Sequence, residues 1–535
     1  MLELTVNKNF LNSIREQVDK NMLWLLGAVL SIISCGGFMF FYLNGLGLSY
    51  NDARSHLDIG RRVVEGLKPG LAQLGSVWLP LNHALMIPFI WNDFMWHSGL
   101  AGAIISMVSF VITGLIIYKF LEEFKVGLLG RLLGVAIFAL NLNVIYLQST
   151  AMTELLLLMT STAAAYFLMI WAKKDQLLDL IKSAFFVTLA VLTRYDGWFL
   201  FAMMVGLIAI RVWWRKGYKE MEGLLILFCT LGGLGIVMWF GWNQLIFKDA
   251  LYFAFGPYSA HAQQQQLSAA GNLATKGSVF LSTQTYLYAL AYNNGLFNLI
   301  LAVLGGALFW FDKKISRDVR FVSAALSAPL LFNILALYLG FSVLFIQGVY
   351  GNTWFNVRYG IMVIPFIAIF IGYLLDKVAS LKYVLIGLIL LTMVISFTSF
   401  DAVTIDDARV GSSQKNVTEV SSWLHRNTSG KDGYILISVA SHDATVFSSG
   451  LPMSKFIHEG TGLYWDFATK DPKHWARWIV MRTYDNSDET YKLVSQSGEL
   501  SDYQLVEKYP FADVYQLKDQ YLADLITKPV IGKQK

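Results

Sequence analysis

The 535-residue chain is 55% hydrophobic and 15% charged, with a mean hydropathy of +0.50. A soluble domain of this size needs polar cover over its surface, so the composition excludes an ordinary soluble enzyme. Its net charge of +5 does not point to nucleic acid, because the lysines and arginines collect between apolar runs of about twenty residues, the length that crosses a bilayer.

Residues 1–21 are polar and no small-residue cleavage site follows the first apolar run. They are expected to be a cytoplasmic N-terminus, and the run itself a retained anchor. Hydropathy windows place spans near 22–43, 99–120, 127–147, 151–171, 177–192, 198–213, 222–246, 295–310, 321–345, 357–375 and 383–400. Cys35 and Cys229 fall inside these runs and read as inert packing residues. With the N-terminus cytoplasmic, Lys119 and Lys125, Lys173 and Lys174, Arg211 to Lys219, Lys313 to Arg320, and Lys377 and Lys382 all fall on the cytoplasmic side. That is the bias expected of a multi-pass protein of the cell membrane.

Three stretches remain for the outer face: 44–98, 248–294 and the polar tail 401–535. In the tail, GYILISVAS and RWIVMRT read as strands and VSSWLHR as part of an amphipathic helix, with sequons at Asn416 and Asn427. The expected fold is therefore a polytopic α-helical membrane protein of about eleven transmembrane helices over 22–400. A C-terminal extracytoplasmic α/β domain is expected over 401–535.

Polar residues at the outer helix ends are the candidates for chemistry. Asp52 follows the first span in GLSYNDARSHLDIGRRVVEG, ahead of Leu57, Ile59, Val63, Val64 and Leu67. That spacing suggests an amphipathic helix lying on the membrane surface. Asp52 either caps it or stands as an interfacial carboxylate able to accept a proton from a hydroxyl. Glu154, in STAMTE, falls just inside the fourth span, where an ionisable group faces a partner or a cavity, or reaches back to water. Arg194, in LTRYDGW, lies in the turn between the fifth and sixth spans, with Asp196 beside it as an available partner. Arg358 opens the tenth span in NVRYGIMVIP, next to Tyr359, either snorkelling at the interface or serving a ligand.

Two carboxylates and two arginines thus converge on one face from four places in the chain. The planar fork of arginine fits phosphate, and a carboxylate activates a nucleophile. Together they suggest an enzyme handling a lipid-linked phosphate. His56 and His83, with Asp52 and Asp58, are of metal-ligating types, but no tight spacing such as HExxH supports a divalent metal. Neither a metal nor another cofactor is expected. P-loop, dinucleotide, GxSxG and CxxC patterns are all missing, which leaves nucleotide-driven transport and serine hydrolysis unsupported.

YNDARSHLDIGRRVVEG, WLPLNHALMIPF, STAMTE, LTRYDGW and NVRYGIMVIP, spread over roughly 22–400, resemble the GT-C superfamily of membrane glycosyltransferases. The likeness is greatest to the branch of the protein O-mannosyltransferases and the lipid A aminoarabinose transferase. It implies a polyprenyl-phosphate sugar donor, a lipid, glycan or protein acceptor, and inverting direct displacement. Asp52 matches the family's catalytic carboxylate on the loop 44–98, and Glu154 its second acidic residue. Arg194 and Arg358 are the implied phosphate ligands; Tyr359, His83, Arg54 and His56 are the further candidates for substrate binding. Asn51-Asp52 replaces the Asp-Glu pair of the eukaryotic O-mannosyltransferases, which weighs against a protein acceptor. The competing expectations are a transporter or flippase of lipid-linked glycans, a transferase of preassembled glycans, and a non-enzymatic assembly subunit.

Overall fold

The computed structural model describes residues 8–529 apart from 257–258, 270, 272, 379, 411–416 and 511. The sequon at Asn416 lies outside them, and that at Asn427 sits in a helix. In chain order, α1 (Lys8–Leu43) leads into α2 (Asn51–Val64) and α3 (Leu81–Ile90). Then come α4 (Leu100–Glu123), α5 (Leu128–Ala139), α6 (Leu142–Gln148), α7 (Glu154–Lys174), α8 (Leu177–Val191) and α9 (Asp196–Lys216). They are followed by α10 (Tyr218–Gly232), α11 (Leu234–Phe247), α12 (Val279–Asn294), α13 (Leu296–Phe311) and α14 (Arg317–Leu339). A hairpin of β1 (Phe345–Ile346) and β2 (Tyr350–Phe355) leads to α15 (Val357–Lys377), α16 (Lys382–Ser399) and α17 (Val403–Val410).

Every predicted span is helical, but their number is corrected. Among the described residues seven helices are long and apolar enough to cross a membrane unbroken, and three pairs cross only as bent spans. The bends are 60° for α5 and α6, 45° for α10 and α11, and 105° for α12 and α13. The last corner turns on Gly295, whose φ of +79° lies where a side chain is strained. The fifteen residues of α8 span roughly 22 Å, short of a bilayer core of about 30 Å. The stretch 248–294 is likewise no plain loop, because it carries a helix at Ala260–Ala269 and then α12.

The bundle has two unlike ends. At one end Lys216, Arg211, Arg215 and Lys377 pair with Asp175, Asp318 and Asp312. At the other stand Asp52, Glu154, Arg194 and Arg358, each at the start of a helix or just before one.

The C-terminal part forms a five-stranded sheet of β3 (Tyr434–Ile437), β4 (Phe456–Ile457), β5 (Ala476–Met481), β6 (Tyr503–Lys508) and β7 (Asp513–Leu517), in the order β4-β3-β5-β7-β6. β4, β3 and β5 are parallel, while β7 pairs antiparallel with β5 and β6. Around it lie α18 (Val417–Thr428), α19 (Val439–Ser449) and α20 (Glu489–Ser497). The predicted strand GYILISVAS stops at Ile437, because Val439 already opens α19. The amides of Val439 and Ala440 at that helix start are taken by the Glu459 carboxylate, which also binds the Ser438 hydroxyl.

Candidate active site

The site is built on α2, and its setting differs from the expectation. α2 is not laid on a surface. Residues from Ser55 to Arg62 are all buried, packed between α3 and α19. Nor does Asp52 cap the helix. Tyr50 holds the cap position, and Asp52 lies in the first turn with its carboxylate turned toward α15.

Arg358 Nη2 reaches Asp52 Oδ2 at 2.5 Å, and its Nε donates to Glu154 Oε1 at 3.1 Å. The same Glu154 oxygen accepts from Arg194 Nη1 at 3.2 Å, and Arg194 Nε pairs with Asp196 at 3.3 Å. Glu154 therefore bridges the two guanidinium groups, and Asp52, Arg358, Glu154, Arg194 and Asp196 form one continuous chain of ion pairs. Tyr359 lies under both cations, 4.9 Å from Arg194 and 5.4 Å from Arg358. Arg358 therefore does not snorkel, and Asp196 is one of three partners of Arg194, with Glu154 and Thr153. Burial works against the Arg194 cation, but Asp196 and Glu154 outweigh it and raise its pKa above the ordinary value.

Local sequence explains how the two arginines are aimed. Each is followed by a tyrosine and then, within three residues, by a glycine on which a side chain would collide with another helix. A Cβ on Gly197 would lie 2.3 Å from the Ala190 carbonyl, and one on Gly360 would lie 2.2 Å from that of Ala289. The glycines let α8 and α12 approach the turns that carry the arginines. α15 also opens as a 3-10 turn over Val357–Val363. Its Val357 and Gly360 carbonyls are taken by the Asn293 and Asn294 amides of α12, at 2.7 and 2.9 Å.

Solvent access separates the carboxylates. The Glu154 side chain is 0% exposed, that of Arg358 is 6% exposed, and that of Asp52 keeps 38%. A narrow, mostly apolar crevice between the spans is lined by Leu157, Leu200, Leu326, Met362 and Pro365, with Asp196 also in its wall.

His56 and His83 join the periphery of this group. His56 Nδ1 and His83 Nε2 hydrogen-bond each other at 2.8 Å, and Trp78 packs on the His56 ring. Burial, with Arg358 and Arg194 adding to it, pushes His56 down to about 3, and burial also holds His83 well below its usual value. Both rings are neutral near pH 7. Asp58 is separate, accepting from Trp96 at 3.2 Å and facing the Asp443 carboxyl. Among the described residues no group of three or more His, Cys, Asp or Glu side chains is set to hold a metal. Arg54 turns away, donating to the Leu48 carbonyl and Asn51.

Two partners of Arg358 were not picked out from sequence. Its guanidinium lies 4.8 Å from the Tyr50 ring and 3.8 Å from Asp407 on α17. The Tyr50 hydroxyl donates to Asp407 at 3.0 Å and to the Thr404 carbonyl at 2.9 Å, while Asn143 accepts from Thr404. Asp407 carries the same signal as Asp52, an acidic residue shortly after a span, but it was read as part of the polar tail.

Fold and site together define a multi-pass membrane protein with a charged chain of residues buried at one end of its helical bundle. Residues 80–236 match the family model described as dolichyl-phosphate-mannose-protein mannosyltransferase. ArnT from Cupriavidus metallidurans, crystallised with undecaprenyl phosphate, has a similar fold at a TM-score of 0.53 and 11% identity, over 90% of this chain and 98% of that one. The archaeal oligosaccharyltransferase AglB from Archaeoglobus fulgidus, in complex with an inhibitory peptide and a dolichol-phosphate, reaches a TM-score of 0.48 at 9% identity over 94% of this chain and 75% of that one. No curated protein matches the sequence. Over residues 80–236 the sequence is therefore similar to that mannosyltransferase family, and the fold resembles that of ArnT.

Proposed function

We propose that this protein transfers a single sugar, a hexose or a pentose, from a polyprenyl-phosphate donor to an acceptor hydroxyl at the outer face of the membrane. One observation carries the reading: Glu154 holds two guanidinium groups side by side, and the exposed carboxylate of Asp52 pairs with one of them. The ArnT structure, solved with undecaprenyl phosphate, agrees with a donor of this class. Residues 22–400 form the catalytic membrane domain, with the loop 44–98 carrying Asp52, and 401–535 form an extracytoplasmic domain. The gathering of lysine and arginine at the opposite end of the bundle supports this sidedness.

In this mechanism the donor phosphate takes the guanidinium of Arg358 from Asp52 and lies against Arg194 as well. Asp52, released from its ion pair, accepts the proton of the acceptor hydroxyl. The oxygen attacks the anomeric carbon from the face opposite the phosphate. The carbon–oxygen bond to phosphate breaks, its electron pair leaves on the phosphate, and the configuration inverts. The two arginines meet the charge that grows on the leaving group, so no general acid and no cofactor is assigned. The polyprenyl chain lies along the crevice that Asp196 helps to line. Glu154 acts through the arginines, as a positioning residue.

The test is release of polyprenyl phosphate by the purified protein, given short-chain polyprenyl-phosphate sugars and candidate acceptors, for wild type and Asp52→Asn. Acceptor-dependent release that falls about a hundredfold or more in the variant is expected, the range of general-base catalysis. Equal release by both proteins would reduce Asp52 to a structural ion-pair partner.

A further inference from the structure

The loop that leaves β5, the middle strand of the C-terminal sheet, presents Tyr484 with 89% of its surface exposed. Its φ is +67°, a conformation that a bulky side chain takes only when its surroundings impose it. They do so here. The Arg482 amide donates to Asp488 at 2.9 Å, and the buried His442 holds the same carboxylate at 2.8 Å. The Asp485 amide donates to the Arg482 carbonyl at 3.2 Å, and Ser487 donates to Asp485 through both its amide and its hydroxyl. A loop this firmly tied, yet bent to push an aromatic ring into water, is built to present that ring.

What surrounds the ring narrows the ligand. Tyr491 meets Tyr484 edge to face at 5.9 Å, so two aromatic faces adjoin. Beside them stand Arg482 and Asp485, paired at 3.3 Å and both partly open to solvent, with Ser487 on the Arg482 fork at 3.1 Å. An open aromatic face flanked by a planar cation and a carboxylate suits a pyranose. The C–H face of the sugar covers the ring, and its neighbouring hydroxyls meet the guanidinium and the carboxylate in pairs. The position fits as well, because ligands of such sheets lie beyond the carboxyl ends of the parallel strands. At the end of β3 the helix amides are already occupied by Glu459, which leaves the end of β5 as the open part.

The C-terminal domain that carries the platform is held against the membrane part of the chain. Gln73, in the loop that carries Asp52, donates to the Gly460 carbonyl at 2.7 Å, and Arg62 at the far end of α2 pairs with Asp443 at 2.9 Å. We propose that Tyr484, with Tyr491, Arg482 and Asp485, forms a saccharide-binding platform that holds the glycan of the acceptor. This names the acceptor class within the transferase reading and so rests on it.

The full-length protein in detergent is applied to an array of immobilised neutral and acidic oligosaccharides, as wild type, Tyr484→Ala, Tyr484→Gly and Tyr484→Phe. Wild type and Tyr484→Phe are expected to bind a common set of glycans, with a tenfold or greater loss in the Ala and Gly variants. Because glycine accepts the positive φ, Tyr484→Gly should keep or raise the melting temperature while losing binding, which separates recognition from folding. No glycan bound by wild type, or equal binding by wild type and Tyr484→Ala, overturns the platform. Donor cleavage that depends on Asp52 without glycan binding overturns the platform alone. Glycan binding that depends on Tyr484 in a protein that never cleaves a polyprenyl-phosphate sugar upholds the platform and overturns the transferase reading.

Discussion

Replacing Glu154 by Gln separates a positioning role from a catalytic one. The substitution keeps the shape and removes one buried negative charge that two guanidiniums share, at 3.1 and 3.2 Å. Breaking a buried ion pair from one side costs about 3–5 kcal/mol when the remaining charge is left alone. Here Arg358 keeps Asp52 and Arg194 keeps Asp196, so the loss is nearer that of two charge-assisted hydrogen bonds less what the Gln carbonyl retains, about 2–3 kcal/mol. The melting temperature in detergent should fall accordingly. Turnover should fall about ten- to a hundredfold, because the phosphate cradle loosens while the base is untouched. Donor affinity, measured by titration with a non-hydrolysable lipid phosphate, should weaken in parallel. Glu154→Gln together with Asp52→Asn should cost less than the product of the two single losses, since both carboxylates bond the same Arg358 guanidinium and each substitution disturbs it. A Glu154→Gln variant with unchanged stability and donor affinity, but a turnover loss as large as that of Asp52→Asn, would falsify the bridging role and make Glu154 itself a reacting group.

Three further outcomes follow from the same geometry. Arg194→Lys keeps the charge but cannot serve Glu154, Asp196 and Thr153 together, so steady-state kinetics should show a donor KM about tenfold higher, the equivalent of one charged hydrogen bond. Gly360→Ala places a methyl 2.2 Å from the Ala289 carbonyl, so a cost of about 1–3 kcal/mol in thermal denaturation is expected, with a lower kcat as Arg358 is displaced. Burial first, and then the facing Asp443 carboxyl, raise Asp58 well above its ordinary 3.8. A carboxyl whose folded value is raised gives stability that is full below the unfolded value and is lost as pH rises through the folded one. As pH rises above the unfolded 3.8, the wild-type melting temperature should therefore drop relative to Asp58→Asn, which is neutral throughout. Parallel melting curves for the two proteins would refute a raised Asp58.

The sequence showed the ingredients of the site but not its wiring. Asp52, Glu154, Arg194 and Arg358 could be singled out because a charge beside an apolar run is costly and visible. Hydropathy also orients successive spans, so it predicts which residues share an end of the bundle. It says nothing about which of them touch. That Glu154 bridges two arginines depends on how closely α7, α9, α12 and α15 approach, and this rests on Gly197, Gly360, Asn293 and Asn294, none of which carries a chemical signature. Tyr50 and Asp407 were missed for a related reason, because α17 folds back onto the bundle after the last span and looks like tail in the sequence. The bent spans were hidden as well. A window of about nineteen residues averages over a corner such as Gly295 and reports one run where the backbone makes two helices.

α2 ties these observations together. Its first turn presents Asp52 to Arg358, and its last turn is held by the C-terminal domain. Arg62 pairs with Asp443, and Glu65 just beyond the helix accepts the Met453 amide at 3.0 Å. Fourteen residues make a rod of roughly 20 Å, clamped at one end by the membrane helices and at the other by the sheet domain. With residues from Ser55 to Arg62 buried along its length, the rod cannot tilt without breaking contacts at both ends. Any shift of the C-terminal domain is therefore felt at Asp52, and the orientation of the proposed base depends on a domain far from it in the sequence.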